Sequence, residues 1–256
     1  MAGQASTSAT RSLNIAAIGF VVWALGYIAV ASPINTAAWE WLLCIIGPLL
    51  IVVAVLSNGA ALRARIGATA IGLLVISLIL AALEFAPLAF SLGAGSKSWA
   101  AVPYELWGTA WIVGGFGVVA TIVHLQRRGS AGSIPFAALS VLSSGMIVYG
   151  LGFDELGTER LSHLYGAEAF GGAVLIALAL IAMRRQLTSI MGAGAAGIVI
   201  VVVAAWALKD VFRVFGDLLT NSTFSKEMIF GFGAAAFVLG AIACLVAARR
   251  NSAAHH

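Results

Sequence analysis

Eight continuous apolar runs divide the chain, at about 13–31, 41–57, 66–90, 103–125, 134–153, 165–183, 190–212 and 227–248. Each is close to the ~20 residues that an α-helix needs to cross a bilayer. A bilayer has no water to satisfy backbone amides, so a spanning segment must be a helix or a strand of a closed barrel. The runs are unbroken and lack the apolar/polar alternation of ~10-residue barrel strands. They also leave no stretch for a separate soluble domain, in keeping with 61% hydrophobic and only 9% charged residues. The expectation is an all-α integral membrane protein with eight transmembrane helices arranged as four hairpins.

Charge sets its orientation. Arg63 and Arg65 follow the second run, Arg127 and Arg128 the fourth, Arg184 and Arg185 the sixth, and Arg249 and Arg250 the eighth, while Arg11 precedes the first. Nine of the fourteen basic residues thus share one side, which the positive-inside rule makes cytoplasmic, together with both termini. All ten acidic residues fall at or near the other side. The net positive charge therefore reports membrane orientation, and with no basic patch interleaved with aromatics a nucleic-acid partner is not expected. Trp39, Trp41, Trp99, Trp107, Trp206, Tyr104 and Tyr165 cluster at the outer ends of the runs, where an aromatic belt is expected.

The N-terminal run has the lone arginine and small-residue pattern of a secretory signal, but its apolar core is longer than a signal's, so it reads as the first span. Cys44 and Cys244 lie inside runs and are not expected to form a disulfide or a thiol metal site. His255 and His256 read as the remnant of a purification tag.

The halves align at an offset of 122, which sets Glu105 over Glu227 and Arg127-Arg128 over Arg249-Arg250. This divides the chain into a tail (1–12), two four-helix halves (13–128 and 129–250) and a C-terminal tail (251–256). Four spans per half make the copies parallel, related by an axis along the membrane normal. The first hairpin, "GYIAVASPINTAAWEWLLCIIGPLLIVVAVL", ends its rising helix at Ser32-Pro33 and starts the descending one with a tryptophan-containing stretch; "LEFAPLAF" with Pro87 echoes it. This pattern resembles the bacterial membrane proteins built of repeated two-span hairpins, the SPW-repeat and HdeD-like families, although Ile34 stands where the SPW signature has tryptophan. The resemblance covers about a quarter of the chain. It implies a multi-hairpin bundle in a bacterial plasma membrane and carries no defined chemistry.

Three groups of residues are candidates for function. The first is Glu84 with Lys209, Asp210 and Arg213, ionisable groups toward the outer ends of the third and seventh runs, where charge is costly and marks a structural Glu84–Lys209 or Glu84–Arg213 pair, a transport pathway, or interfacial snorkelling at an amphipathic helix end. A retinal Schiff base at Lys209 is disfavoured, since that residue lies near the outer surface and no carboxylate sits mid-membrane to serve as counter-ion. The second is the outer loop 154–170, in which Glu155, Glu159 and His163 would share one stripe of a helix, with Glu168 following, a donor set suited to a divalent metal that activates water. The bland alternative is a solvated acidic loop. The third is the pair Glu105 and Glu227, each at the outer start of a descending helix, where a carboxylate complements the helix dipole or, around a pseudo-two-fold axis, rings a cation-attracting vestibule.

No HExxH, nucleophile elbow, Walker sequence or dinucleotide fingerprint occurs. His124 and His163 lie at opposite faces, so no bis-histidine haem can form. A cofactor is not expected beyond a bound lipid or, less favoured, a divalent metal. The function classes are therefore a small transporter or ligand-handling bundle with an acidic outer mouth for a cation or amphipathic solute, a non-catalytic subunit or scaffold of a larger membrane complex, and, third, a metal-dependent enzyme using the 154–168 loop. Membrane lipid, partner subunits or further copies of the chain are the expected partners. The few mid-span hydroxyls, Ser77, Thr121, Ser140, Ser143 and Ser144, argue against a wet pore.

Overall fold

The computed structural model describes residues 2–31, 38–90, 97–129, 135–157, 162–204, 206 and 222–253. Among them every regular element is a helix: α1 (Ala2–Ala31), α2 (Ala38–Ser57), α3 (Gly59–Ile66), α4 (Ala68–Leu83), α5 (Ala86–Ala89), α6 (Lys97–Arg127), α7 (Phe136–Gly157), α8 (Ser162–Ala182), α9 (Arg184–Met191), α10 (Ala193–Ala204) and α11 (Ser222–Ala253). Six stretches are long and apolar enough to cross a membrane: Ser8–Ala31, Trp39–Ser57, Ala68–Ala89, Glu105–Arg127, Phe136–Phe153 and Phe230–Ala253. A seventh, Ala167–Ala182 with Arg184–Met191, is bent by 67°. The remaining expected span, 190–212, contains α10, and much of its continuation lies outside the described residues.

Two short helices were not expected. The sequence reading treats the arginines at 63–65 and 184–185 as loop residues, whereas they belong to eight-residue helices, α3 and α9, neither of which has a buried residue. Both end at glycines of matching conformation, Gly67 (φ 92°, ψ 157°) and Gly192 (φ 90°, ψ 157°), a region that only glycine occupies without strain. Each glycine also sits against a side chain from a long helix, α6 for Gly67 and α11 for Gly192. A Cβ on Gly67 would meet His124 at 2.9 Å, and one on Gly192 would meet Arg250 at 3.2 Å. Arginines from those helices fasten the elbows: Arg128 Nη1 donates to the Ala64 carbonyl (2.7 Å) and Arg250 Nη1 to the Thr188 carbonyl (3.1 Å). Gly67→Ala and Gly192→Ala should each lower stability by about 1–3 kcal/mol, the cost of a strained backbone. Thermal unfolding of the two variants in mild detergent checks this, with Gly59→Ala, where nothing lies within 4 Å, as the silent control.

The bundle is built on close helix crossings at glycine. In α1 and α2, a Cβ on Gly47 would meet Trp23 Cα at 2.9 Å, and one on Gly19 would meet the Gly47 carbonyl at 2.8 Å. The same crossing recurs between α7 and α8: a Cβ on Gly172 would meet Tyr149 Cα at 2.7 Å, and one on Gly145 would meet the Gly172 carbonyl at 2.9 Å. Gly19 and Gly145 lie 126 positions apart, Gly47 and Gly172 lie 125 apart, and so do Gly67 and Gly192. Pairing follows the same pattern. α1 packs on α2 as α7 packs on α8, and α6 packs on α7 as α11 packs on α1. In lipid, where apolar burial does not drive helices together, such approach through small residues holds a bundle.

Hydroxyls add to this. Ser77 donates to the Ala110 carbonyl (2.7 Å) and joins α4 to α6, Ser143 donates to the Gly115 carbonyl (3.0 Å) and joins α7 to α6, and Thr121 bonds back to Gly117 in its own helix. These mid-span polar groups are occupied in holding helices.

Aromatic rings fill the space between α1, α6 and α11. Trp23 stacks on Phe237 with centroids 4.2 Å apart and meets Trp107 edge-on at 6.3 Å; Trp107 continues to Trp206 at 6.1 Å, and Trp206 to Phe237 at 5.6 Å. Trp206 Nε1 donates to the Tyr149 hydroxyl. This corrects the expected aromatic belt: Trp107 and Trp206 are buried in the core, while Trp39 is exposed as an anchor would be. Stacking across the bundle outweighs the interfacial preference of those two indoles.

Candidate functional site at the acidic end

The helix ends opposite the arginines carry the acidic residues. Glu40 lies in the first turn of α2, and one and two steps of four residues further on come Cys44 and Pro48. That spacing puts all three on one stripe of the helix. The stripe faces inward: Glu40 is 4% exposed, Cys44 is fully buried and Pro48 is among the most buried side chains. Pro48 has no N–H, so the Cys44 carbonyl four residues back loses its helical partner.

A second break lies beside it. α4 ends at Leu83, Glu84 occupies its C-cap, and the chain resumes as α5 with Pro87 in its first turn. Pro87 withholds a hydrogen bond from the Leu83 carbonyl, and the Phe85 N–H turns to Ala82, three residues back (3.4 Å). Glu84 is 6% exposed. A carboxylate at a helix C-terminus stands at the unfavourable end of the dipole, so helix stability does not account for it. Glu40, at a helix start, stands at the favourable end.

Both carboxylates lie within electrostatic range of Cys44, on helices that pack together, α2 and α4. Glu40 Oε2 is buried with no hydrogen-bond partner among the described residues. Aromatic rings wall this corner: Trp41 stacks on Phe85 (5.9 Å), and Tyr27 of α1 meets Phe85 edge-on (6.0 Å) and Phe230 of α11 at 5.1 Å. The result is two buried carboxylates at a corner walled by aromatic faces. Such an arrangement favours a positive ligand, since carboxylates supply charge and rings supply cation–π attraction.

Of the residues singled out from sequence, Glu84 is in this site and Glu40 is the partner that reasoning missed. The signal was present as Glu40-x-x-x-Cys44-x-x-x-Pro48, a polar start to an otherwise apolar stripe. Lys209, Asp210 and Arg213 lie outside the described residues, as does Glu159. Glu155 falls in α7 and His163 in α8, with their side chains outside the description, and Glu168 is half-buried on α8. Among the described residues no three histidine, cysteine or acidic side chains come together as a metal site.

The dipole-capping account of Glu105 and Glu227 is corrected. α6 begins at Lys97 and α11 at Ser222, so neither glutamate falls in a first helical turn. The helices extend past the apolar runs from which their starts were inferred. Glu105 is half-buried within α6.

Comparison with protein-family models, with curated proteins and with solved structures found no match. The site's own geometry therefore carries the functional argument.

Proposed function

We propose that this chain is an eight-span plasma-membrane protein, two parallel copies of a four-helix unit in the hairpin-repeat manner, that binds an organic or amphipathic cation at its outer, acidic end. The carrying observation is the burial of Glu40, whose Oε2 has no hydrogen-bond partner among the described residues, at the corner where Trp41, Phe85 and Tyr27 pack and Glu84 is also buried. Taking the Glu40 carboxylate out of water costs several kcal/mol unless a positive group approaches it. Matching elbows and glycine crossings at offsets of 125 and 126 support the duplication. At the same offset of 125, Glu84 corresponds to Lys209, so the second copy carries the opposite charge and the cation site belongs to the first alone. The arginine-bearing end faces the cytoplasm by the positive-inside rule.

The aromatic fill between the halves opposes a continuous water-filled path, so the reading is ligand binding or a gated step and not open-pore conduction. The test uses tetraphenylphosphonium and tetraphenylborate, probes of like size and opposite charge, with the purified protein in phosphatidylcholine nanodiscs. Trp41 lies against Phe85 in the site, so saturable quenching of tryptophan fluorescence by the cation alone is expected. An equal response to both ions contradicts a carboxylate site.

The filled bundle also favours a second reading, a non-catalytic subunit of a larger membrane complex. Purification from the source membrane in mild detergent with mass spectrometry separates the two: stoichiometric partner proteins support the subunit, and a chain recovered alone supports the free-standing binder.

A further inference from the structure

The elbows at the arginine end have no counter-charge of their own. No acidic residue occurs in 1–39, 41–83, 106–153 or 169–209, the stretches that supply this end of the helices apart from the C-terminal segment, and after Glu227 none follows. α3 and α9 place Leu62 and Ile66, and Leu187 and Met191, at i and i+4, an apolar edge of which Leu187 and Met191 pack against the bundle core. The arginines Arg63, Arg65, Arg184 and Arg185 are exposed. α9, with its apolar edge and exposed arginines, is built to lie in a membrane interface with its charge among the headgroups, and α3 presents exposed arginines without a comparable apolar face. A third arginine stands over each: Arg128 and Arg250 spend one nitrogen on the α3 and α9 carbonyls, and their exposed guanidiniums keep further donors for another acceptor.

We propose that each elbow is a binding site for the phosphate headgroup of an anionic phospholipid, so that one chain holds two. The chemistry is bidentate: guanidinium donors match phosphate oxygens, and an anionic lipid neutralises charge that no residue of this end offsets. The lipid also bridges the elbow to the membrane, since its acyl chains run alongside the helices that the elbow joins. The site is independent of the carboxylates at the opposite end.

Native mass spectrometry of the detergent-solubilised protein, titrated with phosphatidylglycerol or with phosphatidylcholine of the same chain length, reads this out. Two phosphatidylglycerol molecules should be retained at collision energies that strip phosphatidylcholine. Arg63→Gln/Arg65→Gln should retain one, Arg184→Gln/Arg185→Gln one, and the quadruple variant none. Equal retention of the two lipids, or retention unchanged in the quadruple variant, overturns the proposal. These residues are exposed and do not cap the elbows, so folding should survive; the thermal unfolding profile without added lipid checks it. Should the quadruple variant not fold, the wild-type comparison decides alone, and a preference for phosphatidylglycerol that free inorganic phosphate at 10-fold excess abolishes would show a phosphate site and not a lipid site.

Discussion

Gly172→Val should abolish the folded state or lower its stability by more than about 3 kcal/mol, while Gly171→Val, one residue away, should be nearly silent. At Gly172 an added Cβ would run into the backbone of α7, with Tyr149 Cα at 2.7 Å and the Gly145 carbonyl at 2.7 Å. Backbone cannot rotate aside as a side chain can, so the helices must separate. Overpacking alone typically costs 1–3 kcal/mol, and separating α7 from α8 also forfeits the dispersion contacts that hold membrane helices together. Nothing lies within 4 Å of a Cβ on Gly171. Gly47→Val should reproduce the effect at the matching α1–α2 crossing, where the obstacle is Trp23 Cα at 2.9 Å. Thermal unfolding in mild detergent and the yield of monodisperse protein measure all three. Equal stability of the Gly171 and Gly172 variants would refute the crossing.

Trp23→Ala should cost about 3–5 kcal/mol, the usual penalty for truncating a buried aromatic, whereas Trp23→Phe should cost less than about 1.5 kcal/mol. Trp23 is 4% exposed and touches three rings: Phe237 face-on, Trp107 and Tyr27 edge-on. Removing it leaves a cavity between α1, α6 and α11. Its Nε1 has no hydrogen-bond partner among the described residues, so phenylalanine gives up no bond there. The contrast separates packing from polar contribution. A large loss in Trp23→Phe would mean that the indole N–H matters and would contradict a contribution from packing alone at Trp23.

What the sequence made legible follows from the length scale of each feature. The apolar runs are long, so helical spans were readable wherever twenty residues stayed apolar. Eight-residue elements were not: α3 and α9 carry the arginines that mark a loop by composition, and it takes the left-handed turn at Gly67 and Gly192 to show them as helices. Helix starts were misplaced for a related reason. Polar residues such as Lys97 and Ser222 lie inside α6 and α11, beyond the apolar stretch, which moved Glu105 and Glu227 away from the helix ends. The alignment at 122 pairs Arg127-Arg128 with Arg249-Arg250, whereas the glycine crossings recur at 125 and 126, a register that identity among so many glycines and alanines conceals. Glu84 was recognised because a charge late in an apolar run is conspicuous. Glu40 sits beside Trp39 and Trp41 at the polar start of an apolar run, and only its burial on the Cys44–Pro48 stripe sets it apart.

Isothermal titration of the protein in phosphatidylcholine nanodiscs with tetraphenylphosphonium tests the central claim most directly, because it reports stoichiometry and affinity together. One cation should bind per chain. Glu40→Gln and Glu84→Gln should each weaken binding about tenfold, equivalent to about 1.4 kcal/mol, and the double variant should bind tetraphenylphosphonium no more tightly than the native protein binds tetraphenylborate. Two cations per chain, or a double variant that binds as tightly as the native protein, would contradict a single carboxylate site at the acidic end.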